Sequence, residues 1–383
     1  MSTSYRVWLD EKLAKLNTID CYSAGVTPEG LSDQLGVGLL EIVKLNFNEN
    51  LYIDRTKQTA IMKQLCDEID LRMYPEDEEI KLRQKLGQHL KVSEDFLVVG
   101  NAGDELIDRM VRLFIEPGDV AVAFTPSFAI PRLCVKRQGG QYLEIPLNAD
   151  FPLDLNALLG AISEKTRLLY LCSPNNPTAN QLNPNDIEKL VRAFPGIVIL
   201  DEAYGEFADY SFISRIEDFP NMIILRTFSK AFGLAMLRLG YAVANPELAK
   251  ILRDKAPLPY PVSGFSIRMG IKMLENITIA QSAVSALITE RTNLIEQLNQ
   301  IQGIQAFASQ ADFVLINTQT PADQLYTKLL KRGIILKKWG KLLQYENCFR
   351  ITVGLPQMNA KLIEALKQIQ EGEKTNENSR GSA

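Results

Sequence analysis

Short runs of almost wholly apolar residues recur along this chain, separated by longer stretches with helical spacing, and no other feature narrows its fold more. The runs fall at 96–100, 120–124, 142–145, 168–172, 197–201, 222–225 and 240–243. Several show no polar alternation, which is the pattern of central parallel strands covered on both faces. The stretches between them read as amphipathic helices. One begins at Asn183-Pro184, a capping side chain followed by a proline at the first turn. Its Ile187, Leu190, Val191 and Phe194 share one face. This alternation predicts a wound α/β sheet from about residue 51 to residue 245.

A break follows at Ala256-Pro257-Leu258-Pro259-Tyr260-Pro261. Beyond it the pattern predicts a long helical stretch over 267–300, strands at 313–316, 334–336 and 349–353, and a helix near 359–369. That is a smaller α+β unit. The expected organisation is an N-terminal arm and small-domain segment over 1–50, a large domain over 51–250, a small C-terminal domain over 251–372 and a disordered polar tail over 373–383. There is no internal repeat.

Composition removes several function classes. With 383 residues, 46% hydrophobic and 23% charged, the chain can bury the core of a two-domain soluble protein. A net charge of −4 provides no basic field for nucleic acid or an anionic membrane. No run approaches the ~20 apolar residues of a membrane helix. The first twenty residues lack a signal-peptide core, so a cytoplasmic location is expected. The five cysteines are scattered without a CxxC, which argues against a disulfide framework or a zinc site. The one histidine, His89, lies in a helical pattern with Leu82, Leu86 and Leu90 and reads as a boundary helix residue. Histidine-based hydrolysis, acid–base work and metal ligation are therefore not expected. Another group must move protons, and lysine is the candidate.

Lys230 stands out in Leu225-Arg226-Thr227-Phe228-Ser229-Lys230-Ala231-Phe232-Gly233-Leu234, with Arg238 eight residues on. The hydroxyls of Thr227 and Ser229 and the Arg238 guanidinium form a candidate phosphate clamp. They flank an amine that can form a Schiff base, a pairing that points to pyridoxal 5'-phosphate. Other polar clusters follow predicted strands, where wound sheets bind ligands. Gly100-Asn101-Ala102-Gly103-Asp104-Glu105 can present backbone N–H groups to a phosphate at a helix start, or is a plain capping turn. It is not a G-x-G-x-x-G fingerprint. Phe128 can stack on a cofactor ring or serve as core. Asn176, in Ser173-Pro174-Asn175-Asn176-Pro177, can donate to a phenolate oxygen or only build a turn. Asp201 ends an apolar strand, where a carboxylate needs a partner. A pyridinium N–H would be one, and a helix-capping role is the alternative. Tyr204 can share the phenolate oxygen with Asn176.

These residues, in this order, resemble the fold-type I pyridoxal-phosphate enzymes of aminotransferase class I/II, over roughly residues 20–370. Within that family the chain is similar to the histidinol-phosphate branch. The resemblance implies a mostly parallel seven-stranded sheet between helices in the large domain, with a smaller α+β domain beside it. It implies Lys230 as the Schiff-base lysine, Asp201 as partner of the pyridine nitrogen, and Asn176 and Tyr204 on the phenolic oxygen. It places Phe128 on the ring, and Ala102, Gly103, Asp104, Thr227, Ser229 and Arg238 around the phosphate.

Further motifs carry the same resemblance. The stretch 44–50, with Asn48, is similar to the branch's Asn-rich motif. Arg72-Met73-Tyr74-Pro75 is similar to its Arg-Tyr-Pro motif, which implies a homodimer whose shared sites receive Tyr74 from the partner subunit. Arg350 matches the arginine that grips a substrate anion, and Tyr22 a substrate-contacting tyrosine. Lys337 stands where the branch usually has arginine, so it keeps the charge without the planar fork. Ala179 replaces an expected glycine and Ser173 an asparagine. The implied activity is amino transfer between L-glutamate and imidazole-acetol phosphate, a step of histidine biosynthesis. Transamination of aromatic or other amino acids, decarboxylation of a phosphothreonine-type substrate, and a non-catalytic cofactor-binding regulator stay open as alternatives. Only about 40 residues precede the aminotransferase-like part, too few for the DNA-binding module such regulators carry. No metal is implied.

Overall fold

The computed structural model describes residues 3–19 and 25–380. In chain order its strands are β1 (Val43–Leu45), β2 (Leu97–Gly100), β3 (Val120–Thr125), β4 (Gln141–Pro146), β5 (Thr166–Cys172), β6 (Ile197–Asp201), β7 (Met222–Thr227) and β8 (Gly240–Ala244). They continue with β9 (Ile304–Ala306), β10 (Phe313–Thr318), β11 (Ile334–Leu342) and β12 (Tyr345–Thr352).

The apolar runs form one seven-stranded sheet in the order β2-β8-β7-β6-β5-β3-β4. Every pairing from β7 to β4 is parallel, and β8 alone runs against its neighbours β2 and β7. β5, β6 and β7 are buried almost throughout, as strands with helices on both faces must be. The helix Ala102–Phe114 buries Leu106, Ile107, Met110 and Val111 on one side. The helix Pro184–Ala193 starts as its sequence predicts: the Asn183 side chain accepts from Asn185 N–H, and Pro184 takes the first turn.

A second, five-stranded sheet has the order β1-β11-β12-β10-β9. β1 joins it from near the start of the chain, pairing parallel with β11 in the register Leu45↔Leu336. The helical stretch expected over 267–300 consists of two helices, Gly264–Glu275 and Thr278–Asn299. They part at Asn276, whose side chain caps Lys272 C=O at 2.9 Å, a local bond that competes with helix continuation. The last helix spans Pro356–Arg380. No described helix is long and apolar enough to cross a membrane.

Candidate active site

Strand direction gathers the polar clusters at one edge. β2, β3, β5, β6 and β7 all end there, at Gly100, Thr125, Cys172, Asp201 and Thr227. β8 runs the other way, so its first residue, Gly240, sits between Gly100 and Thr227. Arg238, just before β8, thereby arrives beside the turn that starts the helix Ala102–Phe114. Arg238 Nη2 lies 3.0 Å from Asp104 Oδ2. The turn is tight: Ala102 has φ +64°, and a Cβ on Gly240 would stand 2.8 Å from the Ala102 carbonyl carbon and 3.0 Å from Gly103 N. The first N–H groups of this helix have no intrahelical acceptor and are available to an anion. Across from them, Ser229 N–H donates to Thr227 Oγ1 at 3.1 Å, inside the turn that leads to Lys230.

Asp201 is buried at the end of β6. Tyr170, on neighbouring β5, donates its hydroxyl to Asp201 Oδ2 at 2.6 Å, and Ala203 N–H donates to Oδ1 at 3.0 Å. Burial raises the carboxyl to about 6, and these two donors work against that rise. Tyr170 gave no signal in the sequence beyond being the one hydroxyl in the apolar run 168–172.

The five-stranded sheet brings the other half of the site. Arg350 on β12 reaches across to the turn after β5, and its Nη1 donates to Asn176 Oδ1 at 2.6 Å. Its Nη2 donates to the Asn46 carbonyl at 2.6 Å. Asn176 Nδ2 lies 3.5 Å and Asn48 Nδ2 3.0 Å from the Tyr204 hydroxyl, both as donors. Asn48 holds φ +56°, fixed by its N–H to Thr352 Oγ1 at 2.9 Å. Lys230 points at this loop: its Nζ donates to the carbonyls of Phe47 and Asn48 at 3.0 and 3.1 Å and lies 5.6 Å from the Tyr204 ring centroid. Burial lowers the Lys230 pKa, Asp312 opposes that shift and Arg350 adds to it.

Lys337 faces the same region from β11, in register with Arg350, and burial and the Arg350 charge lower its pKa. Phe128 is half-buried, packed against the core beside the turn after β3. In the same turn, Ser127 Oγ donates to Asn175 Oδ1 at 2.9 Å. Tyr74 is exposed and stacks on Tyr260, with ring centroids 5.1 Å apart. Tyr22 lies outside the described residues.

A buried ion cluster missed by the sequence reading backs this edge. Arg226 lies between Glu202, at 2.8 Å, and Glu206, at 2.9 Å. It ties the turn after Asp201 to the strand that delivers Lys230.

A wound, mostly parallel sheet with a lysine, a buried aspartate and an anion-binding turn at one edge defines a cofactor-dependent group-transfer enzyme. The chain belongs to the aminotransferase class I and II family, whose model matches residues 41–366. It is 36% identical over 303 residues to the histidinol-phosphate aminotransferase of Christiangramia forsetii, covering 78% of this chain and 86% of that protein. It is 34% identical over 363 residues to histidinol-phosphate aminotransferase 2 of Carboxydothermus hydrogenoformans, covering 93% and 98%. Among solved structures, the fold is similar to histidinol-phosphate aminotransferase from Sinorhizobium meliloti, determined in complex with pyridoxal 5'-phosphate. There the TM-score is 0.82 and the identity 26%, over 91% of this chain and 96% of that one.

Proposed function

We propose that this protein is a pyridoxal 5'-phosphate-dependent aminotransferase that moves the amino group of L-glutamate to imidazole-acetol phosphate, giving L-histidinol phosphate. One arrangement carries the reading: Arg350, Asn176, Tyr204 and Asn48 form one hydrogen-bonded chain, and the Lys230 amine ends on the same loop. A guanidinium suited to an anion, a phenol and an amine suited to carrying a proton therefore meet at one place.

The residues present fit the cofactor. The N–H groups of Ala102, Gly103 and Asp104, the hydroxyls of Thr227 and Ser229, and Arg238 would hold its phosphate. Asp201 would accept from the ring N–H, an acceptor that a carboxylate kept out of water requires. Asn176 and Tyr204 would hold the phenolic oxygen, and Phe128 the ring face. The bound cofactor supplies an electron sink for charge developing at the α-carbon of the amino donor.

Lys230 Nζ takes the α-proton of the donor and returns it later in the turnover. Burial lowers its pKa toward the range in which an amine works as a base near neutral pH. Arg350 grips the substrate anion with its planar fork, and Lys337 adds a second positive charge at that end. Asn48 lines the substrate side. Asp201, held by Tyr170, keeps a negative charge fixed without reorganisation.

We further propose a cytoplasmic homodimer in which the partner subunit's Tyr74 reaches the phosphate. Exposed apolar side chains at Leu71, Met73, Met236 and Leu258 support a covered face here, since each is more than two-thirds exposed in one chain. The test is direct. Protein mixed with pyridoxal 5'-phosphate should turn yellow, and glutamate with imidazole-acetol phosphate should outperform glutamate with aromatic keto acids. Carbon dioxide release from a phosphorylated amino acid, without amino transfer, would replace this reading with a decarboxylase.

A further inference from the structure

Asp312, just before β10, is fully buried, yet neither carboxylate oxygen has a hydrogen-bond partner among the described residues. The surrounding loop is otherwise well satisfied. Ser309 Oγ accepts from Ala311 N–H at 3.0 Å and donates to Phe313 C=O at 2.6 Å. Val353 N–H donates to the Asp312 carbonyl at 2.9 Å. The side chain alone is orphaned, and an orphaned buried carboxylate is costly unless cations compensate it.

The compensating cations are those of the site. Phe313, the next residue, sets its ring edge-on to Tyr204 with centroids 5.1 Å apart, and the Arg350 guanidinium lies 5.3 Å from that ring. Arg291, from the helix Thr278–Asn299, donates to Ala311 C=O at 2.8 Å. Thus Lys230, Arg350 and Arg291, on three separate elements, are the cations that act on the Asp312 charge, that charge in turn acts on Tyr204, and Glu49 is a further anion acting on Lys230. We propose that Asp312 is a positioning residue that sets the charge of the site: its carboxylate holds Lys230 protonated at rest and opposes anions that dock on Arg350. This rests on the roles of Lys230 and Arg350 given above.

A coupling follows. Burial already raises the Asp312 carboxyl to about 7, against the pull of Lys230 and Arg350. An anion bound to Arg350 cancels part of that pull, so Asp312 takes a proton from solvent as the anion binds. A substrate anion and a proton therefore enter together near neutral pH.

The test compares the cofactor-loaded wild type with Asp312→Asn, using glutarate as an unreactive dicarboxylate. Calorimetry in buffers of different ionisation heat should show proton uptake in the wild type, its loss in the variant, and several-fold tighter glutarate binding by the variant. The pH midpoint of the visible absorbance linked to Lys230 should move lower in Asp312→Asn, which a merely structural residue would not cause. Wild-type binding without proton uptake, or an unmoved midpoint, overturns the proposal. A second arm needs no cofactor: the Tm difference between Asp312→Asn and wild type should be more favourable to the variant at about pH 8.5 than at about pH 5.5. Equal differences at both pH values overturn it. Protein that stays colourless with the cofactor counts against the reading of Lys230, while this arm still decides on Asp312.

Discussion

Arg350 Nη1 donates to Asn176 Oδ1 across 2.6 Å, and this bond joins the five-stranded sheet to the turn after β5 of the wound sheet. Arg350 therefore positions Asn176 in addition to its proposed grip on the substrate anion. Arg350→Lys keeps the charge but cannot serve Asn176, the Asn46 carbonyl and an anion with one planar fork. We expect KM for glutamate to rise at least tenfold, about 1.4 kcal/mol or more in the lost charged hydrogen bonds. Steady-state kinetics with both substrates checks this, and a KM within twofold of wild type would contradict it.

Tyr170 and Asp201 form the second dependency. Tyr170→Phe removes the hydroxyl donor from a buried carboxylate and costs about 1–3 kcal/mol. That hydrogen bond lowers the Asp201 pKa, so its loss raises the folded-state pKa above the present value of about 6. A raised carboxyl pKa contributes stability that is lost as pH rises through it. The Tm deficit of cofactor-free Tyr170→Phe should thus be larger above about pH 7 than below about pH 5. Thermal unfolding at the two pH values measures this directly.

Arg226 answers a buried carboxylate, Glu202, and a part-buried one, Glu206. Removing the cation strands both charges, so Arg226→Ala should cost about 3–5 kcal/mol by urea unfolding. A loss below ~1 kcal/mol would mean that the cluster does not brace this edge.

Gly240→Ala drives a methyl into the Ala102–Gly103 backbone. The strand must shift, and with it the turn proposed to offer N–H groups to the cofactor phosphate. Cofactor affinity, read by fluorescence quenching, should fall about tenfold or more, with far-UV dichroism unchanged.

The strand ends were legible in the sequence because each wholly apolar run stops at a polar residue. Asp201, Asn176, Thr227 and Lys230 could be placed at one edge from that pattern alone. Arg238 was legible as a clamp residue, and the reversal of β8 explains why a residue ahead of a strand joins residues that follow strands. β1 and β9, of three residues each, are too short to show periodicity. The polar half of β11, from Lys337, pairs only with β12 and lacks the apolar signal of a covered strand. Tyr170 and Asp312 were invisible for a different reason: their importance comes from what lies across the fold, which no local spacing encodes.

Lys230 is the group proposed to link the cofactor and to move the proton. Wild-type protein with pyridoxal 5'-phosphate and its Lys230→Ala variant should be compared by visible absorbance and then, after borohydride reduction, by peptide mass mapping. The prediction is a phosphopyridoxyl mass on the peptide containing Lys230 in the wild type. In the variant that adduct should be absent, with at least a thousandfold loss of turnover (about 4 kcal/mol or more). A reduced adduct on another lysine, or near-normal turnover without Lys230, would contradict the central claim.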